Sequence, residues 1–116
     1  MTLAEAEKKF NLPMDTLKQY VSFGFIHKKQ NESQAEDYMD QDFEHLGLIE
    51  TLMSAGFTAE ETRKYLSLTE NMGTGEEQIR MLRKHRYIVL DDIHKRQQLL
   101  DQLDFMIWKK KKEEKK

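Results

Sequence analysis

The side chains able to do chemistry in this chain gather in two short stretches. The first is Thr16, Lys18, Gln19 and Tyr20, within three to four residues of one another. On a helix such residues share or border one face. Ammonium, amide, hydroxyl and phenol groups placed that way suit phosphate oxygens and the polar edges of bases. The second is Lys28 and Lys29, in the polar run His27-Lys28-Lys29-Gln30-Asn31-Glu32-Ser33-Gln34. Two adjacent lysines on a loop offer a phosphate contact, although Glu32, Glu36 and Asp37 share that loop.

Other chemistries find little support. The chain has no cysteine, so thiolate metal sites, Cys nucleophiles and disulfides are excluded. His27, His45, His85 and His94 are widely spaced, and no pair has the i,i+4 spacing of a helical zinc site. The carboxylates Asp40, Asp42, Glu60 and Glu61 fall in first turns of helices, where the dipole explains them. There is no Gly-rich phosphate loop. No enzyme activity and no cofactor are expected. Met72, Met81, Phe105, Met106 and Trp108 lie along or beside the last helix. They admit a small-molecule site, but packing is the simpler reading.

The elements that must position these residues are helical. The 116 residues contain one Pro and five Gly, too few for a turn-rich all-β domain, and 34% are charged against 38% apolar. That length fits one domain. No apolar run approaches a membrane span, and Met1-Thr2-Leu3-Ala4-Glu5 lacks the pattern of a secretory leader. A cytoplasmic protein is expected. The net charge of −2 conceals a split. Residues 1–70 hold 7 Lys and Arg against 13 Asp and Glu, and residues 71–116 hold 12 against 8. An acidic front half is a poor footprint for a polyanion.

Thr2 to Phe10 predicts a short helix, capped by Thr2 against Glu5, with Leu3, Ala6 and Phe10 on one face. Asn11-Leu12-Pro13 interrupts it. A second helix follows from about Met14 to Phe23, with Leu17 and Val21 inward, and Gly24 stops it. This is the spacing of a helix-turn-helix. Residues 25–37 read as a loop with a short hairpin at its base. A third helix opens at Asp40 and ends at Gly56, using Phe43, Leu46, Ile49 or Glu50, and Met53. Thr58 and Glu61 form a capping box for a fourth, which runs to about Leu68 and buries Thr62, Tyr65 and Leu66. Residues 71–75 read as a linker, residues 76–110 as one long helix, and residues 111–116 as a charged tail.

The long helix carries a seam. Ile79, Leu82, Arg86, Val89, Ile93, Arg96, Leu100, Leu103 and Ile107 step alternately by three and four, and seven of the nine are apolar. That is a heptad repeat. Each apolar side chain gains roughly 1.5–3 kcal/mol on burial. Ile79, Leu82, Val89, Ile93, Leu100, Leu103 and Ile107 are therefore the expected dimer interface. The alternative is a helix that breaks at Asp91-Asp92 and folds back on itself.

Several motifs then resemble one family. Thr2-Leu3-Ala4-Glu5-Ala6 is similar to an opening helix. Met14-Asp15-Thr16-Leu17-Lys18-Gln19-Tyr20 through Ile26 resembles a recognition helix and turn, matching at Thr16, Leu17, Tyr20 and Gly24. Tyr38 and Asp42 match the segment leaving the wing, and Ser54-Ala55-Gly56-Phe57-Thr58 through Leu66 matches best. The segment from Asp91 to Ile107 is similar to a dimerisation helix. Together these resemble the MerR family of bacterial transcription regulators, in its small members without an effector domain.

The resemblance implies a mostly α, winged helix-turn-helix domain over residues 1–70, followed by a long C-terminal coiled-coil dimerisation helix. It implies a homodimer on double-stranded promoter DNA, with antiparallel terminal helices, a pseudo-palindromic site and contact with RNA polymerase. It also implies action by bending or untwisting a promoter with an overlong spacer. The departures are chemical. Asp15 stands where the family carries Arg, Lys18 and Gln19 stand in an Arg-Tyr stretch, and Gln34-Ala35-Glu36 replaces a Gly-Tyr-Arg stretch. A carboxylate facing a phosphate reverses a favourable Coulomb term. A degenerate dimer that binds another protein instead of DNA is the alternative.

Overall fold

The computed structural model describes residues 1–29, 36–70, 73 and 75–115. Six helices run in order: α1 Leu3–Phe10, α2 Met14–Ser22, α3 Asp40–Phe43, α4 Leu46–Ser54, α5 Ala59–Glu70 and α6 Glu76–Glu114. The chain divides into two units, Met1–Gly75 and Glu76–Lys116. The expected wing residues Gln30, Asn31, Glu32, Ser33, Gln34 and Ala35 lie outside the described residues, as do Asn71, Met72 and Thr74 of the expected linker and Lys116 of the tail.

The short helices of the first unit are bounded by local chemistry. Thr2 Oγ1 accepts from the Glu5 N–H at 3.2 Å and donates to the Glu5 carboxylate at 3.1 Å. Asn11, with φ 53°, turns the chain out of α1. α2 and α4 share one ending. The Phe25 N–H reaches Tyr20 O at 3.0 Å and the Gly24 N–H reaches Val21 O at 3.1 Å. The Phe57 N–H likewise reaches Leu52 O and the Gly56 N–H reaches Met53 O. These are Schellman motifs, with glycine in the left-handed conformation at φ 82° and 96°. The box at α5 forms in both directions, Glu61 N–H to Thr58 Oγ1 at 3.1 Å and Thr58 N–H to Glu61 at 3.2 Å.

Two boundaries differ from expectation. The segment from Asp40 to Gly56 is two helices. After Phe43 the chain tightens, with Glu44 N–H bonding Gln41 O and His45 N–H bonding Asp42 O. Those three-residue turns bring Phe43, Leu46, Ile49 and Leu52 into the interior together. Leu52 is buried where Met53 was expected, and Met53 packs beside it. The helix from Glu76 extends past Lys110 to Glu114, so most of the expected tail is helical. Lys and Glu are good helix formers, and Lys110 pairs with Glu113 one turn on at 3.5 Å.

The core of the first unit is Ala6, Leu17, Tyr20, Phe25, Ile26, Tyr38, Phe43, Leu46 and Ile49. Ala6, fully buried, sits where α1 packs on α2. Phe10 stacks on Phe43 at 6.1 Å, and Phe57 meets Tyr65 edge-on at 6.1 Å. Thr62 is fully buried and returns its hydroxyl proton to Thr58 O at 2.8 Å. Gly24 is the most constrained position: a Cβ there would lie 3.4 Å from Arg63 Cδ, and its φ disfavours any L side chain. Gly24→Ala is expected to cost about 1–2 kcal/mol. Urea denaturation monitored at Tyr and Trp checks this, and an unchanged midpoint would contradict it.

α6 spans 39 residues without interruption, about 58 Å at 1.5 Å per residue. The expected break at Asp91-Asp92 does not occur; Asp91 pairs with Lys95 at 3.0 Å along the helix face. That hydrogen bond holds the Lys95 ammonium pKa above its ordinary 10.5. Ile79, Leu82, Val89, Ile93, Leu100, Leu103 and Ile107 are each at least 39% exposed in the single chain. Away from that stripe, Phe105 stacks on Trp108 at 5.9 Å and Lys112 Nζ stands 5.0 Å from the Trp108 ring. The outermost two turns of apolar sequence are thus apolar on several sides.

Candidate nucleic-acid interface

The site is built on α2. Leu17 and Tyr20 point inward, fully and almost fully buried. At 3.6 residues per turn this fixes the opposite face as solvent-facing. That face is Asp15, Lys18, Gln19 and Ser22, all exposed. Two of the four, Lys18 and Gln19, were expected. Ser22 was missed, although it stands seven residues after Asp15 and the period alone puts both on one stripe. Its hydroxyl donates to Gln19 O at 2.7 Å. Thr16 is half-buried on the flank of α2, at the edge of this face.

Tyr20 is a correction. Its ring is 6% exposed and packs 5.7 Å from Phe25, so it is a core residue and not part of the exposed face. Burial, aided by the Glu50 carboxylate, pushes the phenol above its ordinary pKa of 10.0. It stands three residues from Leu17, and the two together form the fully inward side of α2, with Val21 half-buried and packed against the same core.

The wing root follows α2 in the chain. An antiparallel bridge joins Lys28 to Tyr38. Lys29 N–H bonds Asp37 O and Met39 N–H bonds His27 O, both at 2.9 Å. Lys28 is exposed and Lys29 half-exposed, as an interface needs. Each lysine, however, faces a carboxylate across the root: Lys28 to Glu36 and Lys29 to Asp37, both at 3.4 Å. These pairs could not be read from sequence, because they join residues eight positions apart across a hairpin.

Two further ties hold the root. Asp42 Oδ2 accepts from the His27 N–H at 2.8 Å and lies 3.0 Å from its ring Nδ1. The Met1 amine bonds Asp37, Tyr38 O and Asp40. Hydrogen bonding to that amine holds the Asp37 and Asp40 carboxyls below the ordinary 3.8, and Asp37 in turn raises the amine above 8.0. At the end of α2, Arg63 of α5 donates to Phe23 O at 2.7 Å. The turn that closes α2 is therefore tied to α5.

α1 and α2 form a helix-turn-helix whose second helix is polar and exposed on one side, followed by a bridged wing root. Residues 1–69 match the family described as MerR HTH family regulatory protein. The chain belongs to the MerR family. It is 25% identical over 91 residues to the HTH-type transcriptional regulator HmrR of Rhizobium leguminosarum bv. viciae, covering 78% of this chain and 70% of that one. Its structure is similar to a crystal structure of a protein assigned to the MerR family of transcriptional regulators from Listeria monocytogenes. The TM-score is 0.70 at 28% identity, over 92% of this chain and 83% of the other. The MerR helix-turn-helix is α1 and α2. Asp15 and Glu36 are both exposed. No helix among the described residues is long and apolar enough to cross a membrane.

Proposed function

We propose that this MerR-family chain is a homodimeric transcription regulator that binds a pseudo-palindromic promoter site, in the cytoplasm and in contact with RNA polymerase. The observation that carries it is the division of α2. Leu17 and Tyr20 anchor one side in the core, while Lys18 and Gln19 stand exposed on the other. A helix held this way is free to enter a major groove. Lys18 and Lys28 supply phosphate contacts, Gln19 reaches base edges, and Thr16 and Lys29 contact the backbone from the flanks. Two heads are joined through Ile79, Leu82, Val89, Ile93, Leu100, Leu103 and Ile107, in an antiparallel pair of α6 helices. The two α2 helices then meet half-sites on one face of the duplex, roughly 34–36 Å apart or a multiple of that.

A second reading rests on the charges. Residues 1–70 carry 13 acidic side chains against 7 basic ones, and both wing lysines are paired with carboxylates. A dimer of that kind binds a protein partner instead. Gel retardation of genomic fragments at low ionic strength separates the two, because electrostatic attraction is then strongest. The regulator retards and enriches particular fragments; the interaction module retards none. Lys18→Ala is expected to weaken binding to every sequence alike. It should lower the slope of log affinity against log salt by roughly 1 per half-site. Equal slopes for the two proteins would remove Lys18 from the interface.

A further inference from the structure

Asp15 is the least expected member of the exposed α2 face, and it stands at the N-terminal end of that face, in the first turn of α2. Lys18 and Gln19 follow it by three and four residues and Ser22 by seven, so Lys18 and Gln19 border it one turn on. Its carboxylate has no hydrogen-bond or ion-pair partner among the described residues. It does not serve as a cap either: the residue before α2 is Pro13, and no side chain bonds that end. A first-turn carboxylate is favoured by the helix dipole, but on a DNA-facing surface it is repelled by phosphate. The donors a major groove offers such a carboxylate are base amino groups, and the N-terminal residues of a helix seated in the groove are those that meet base edges.

We propose that Asp15 determines specificity by accepting a hydrogen bond from the N4 amino group of a cytosine in each half-site. The inference rests on the DNA-binding reading given above and names what that face selects. Cytosine fits better than adenine. The adenine edge sets an N7 acceptor beside its N6 donor, so a carboxylate there meets a lone pair. An amide satisfies both groups, which is why Asn and Gln pair with adenine and Asp and Glu with cytosine. Lys18 and Gln19, one turn on, supply the donors that Asp15 lacks. The same substitution that lowers general affinity for a polyanion thereby adds discrimination at one base pair.

The experiment is selection from random duplexes by the full-length protein, by D15A and by D15N, each followed by affinity measurement on the selected site. The wild type is expected to fix a cytosine in each half-site. D15A should lose preference at that position alone, with affinity for the wild-type site falling on the order of 5- to 150-fold per half-site. D15N should move the preference toward adenine. Thermal unfolding of each variant accompanies the selection, since loss of a favourable helix-dipole charge lowers the melting point without changing a base preference. If the wild type enriches a motif and D15A selects the same motif with equal or greater affinity, Asp15 reads nothing and this proposal falls alone. If the wild type enriches no sequence and retards no fragment, the DNA-binding reading falls and takes this one with it.

Discussion

Leu100→Asp should leave the protein sedimenting as a single 13.9 kDa chain at micromolar concentration, where the proposed dimer of the parent would sediment at twice that mass. Leu100 lies well inside the α6 stripe, with Ile93 and Ile107 one heptad to either side, and is 51% exposed in the single chain. In a symmetric pair the substitution counts twice. Each leucine removed forfeits roughly 1.5–3 kcal/mol of burial, and each new carboxylate must lose water with no partner. A total of about 4 kcal/mol raises a dissociation constant about a thousandfold. Retardation of DNA should fail in parallel, because two half-sites held together bind far more tightly than one. An unchanged sedimentation profile would place the self-association surface elsewhere, and a monomeric parent would remove it altogether.

Leu17→Ala should be the most damaging single change in the first unit. Leu17 is fully buried, on the side of α2 that faces the core. Leu to Ala at such a site costs about 2–5 kcal/mol, depending on how far the neighbours collapse into the space. The first unit has about 75 residues, and domains of this size carry only about 5–15 kcal/mol in total. The melting temperature should fall by roughly 10–30 °C. Differential scanning calorimetry reads this directly. A shift of a degree or two would mean that the packing between α1 and α2 contributes little to holding the α2 face in place.

These two residues also show what the sequence carried plainly. Leu17 and the heptad stripe were readable because each depends on spacing within one helix. So were the two glycine endings and the boxes at Thr2–Glu5 and Thr58–Glu61, whose partners are at most five residues apart. What escaped depends on contacts made at a distance. Tyr20 looks amphipathic in sequence, and only its neighbour Phe25, beyond the turn, draws it inside. Lys28 and Lys29 look like free cations until the hairpin brings Glu36 and Asp37 across from them. The split between α3 and α4 has no Pro or Gly to mark it; it follows from the need to turn Phe43 and Leu46 toward one core. The helical run through Lys111 and Lys112 follows from the helix propensity of Lys and Glu, which a dense run of charge conceals in the sequence.

The wing root has a consequence for how this protein can be altered. Its ties are Asp42 to His27, the Met1 amine to Asp37 and Tyr38, and the bridge between Lys28 and Tyr38. Two of them draw on groups outside the wing, the Asp42 carboxylate of α3 and the Met1 amine. Acylation of that amine would accordingly remove the cation that Asp37 and Asp40 share, and loosen the base of the wing without touching α2.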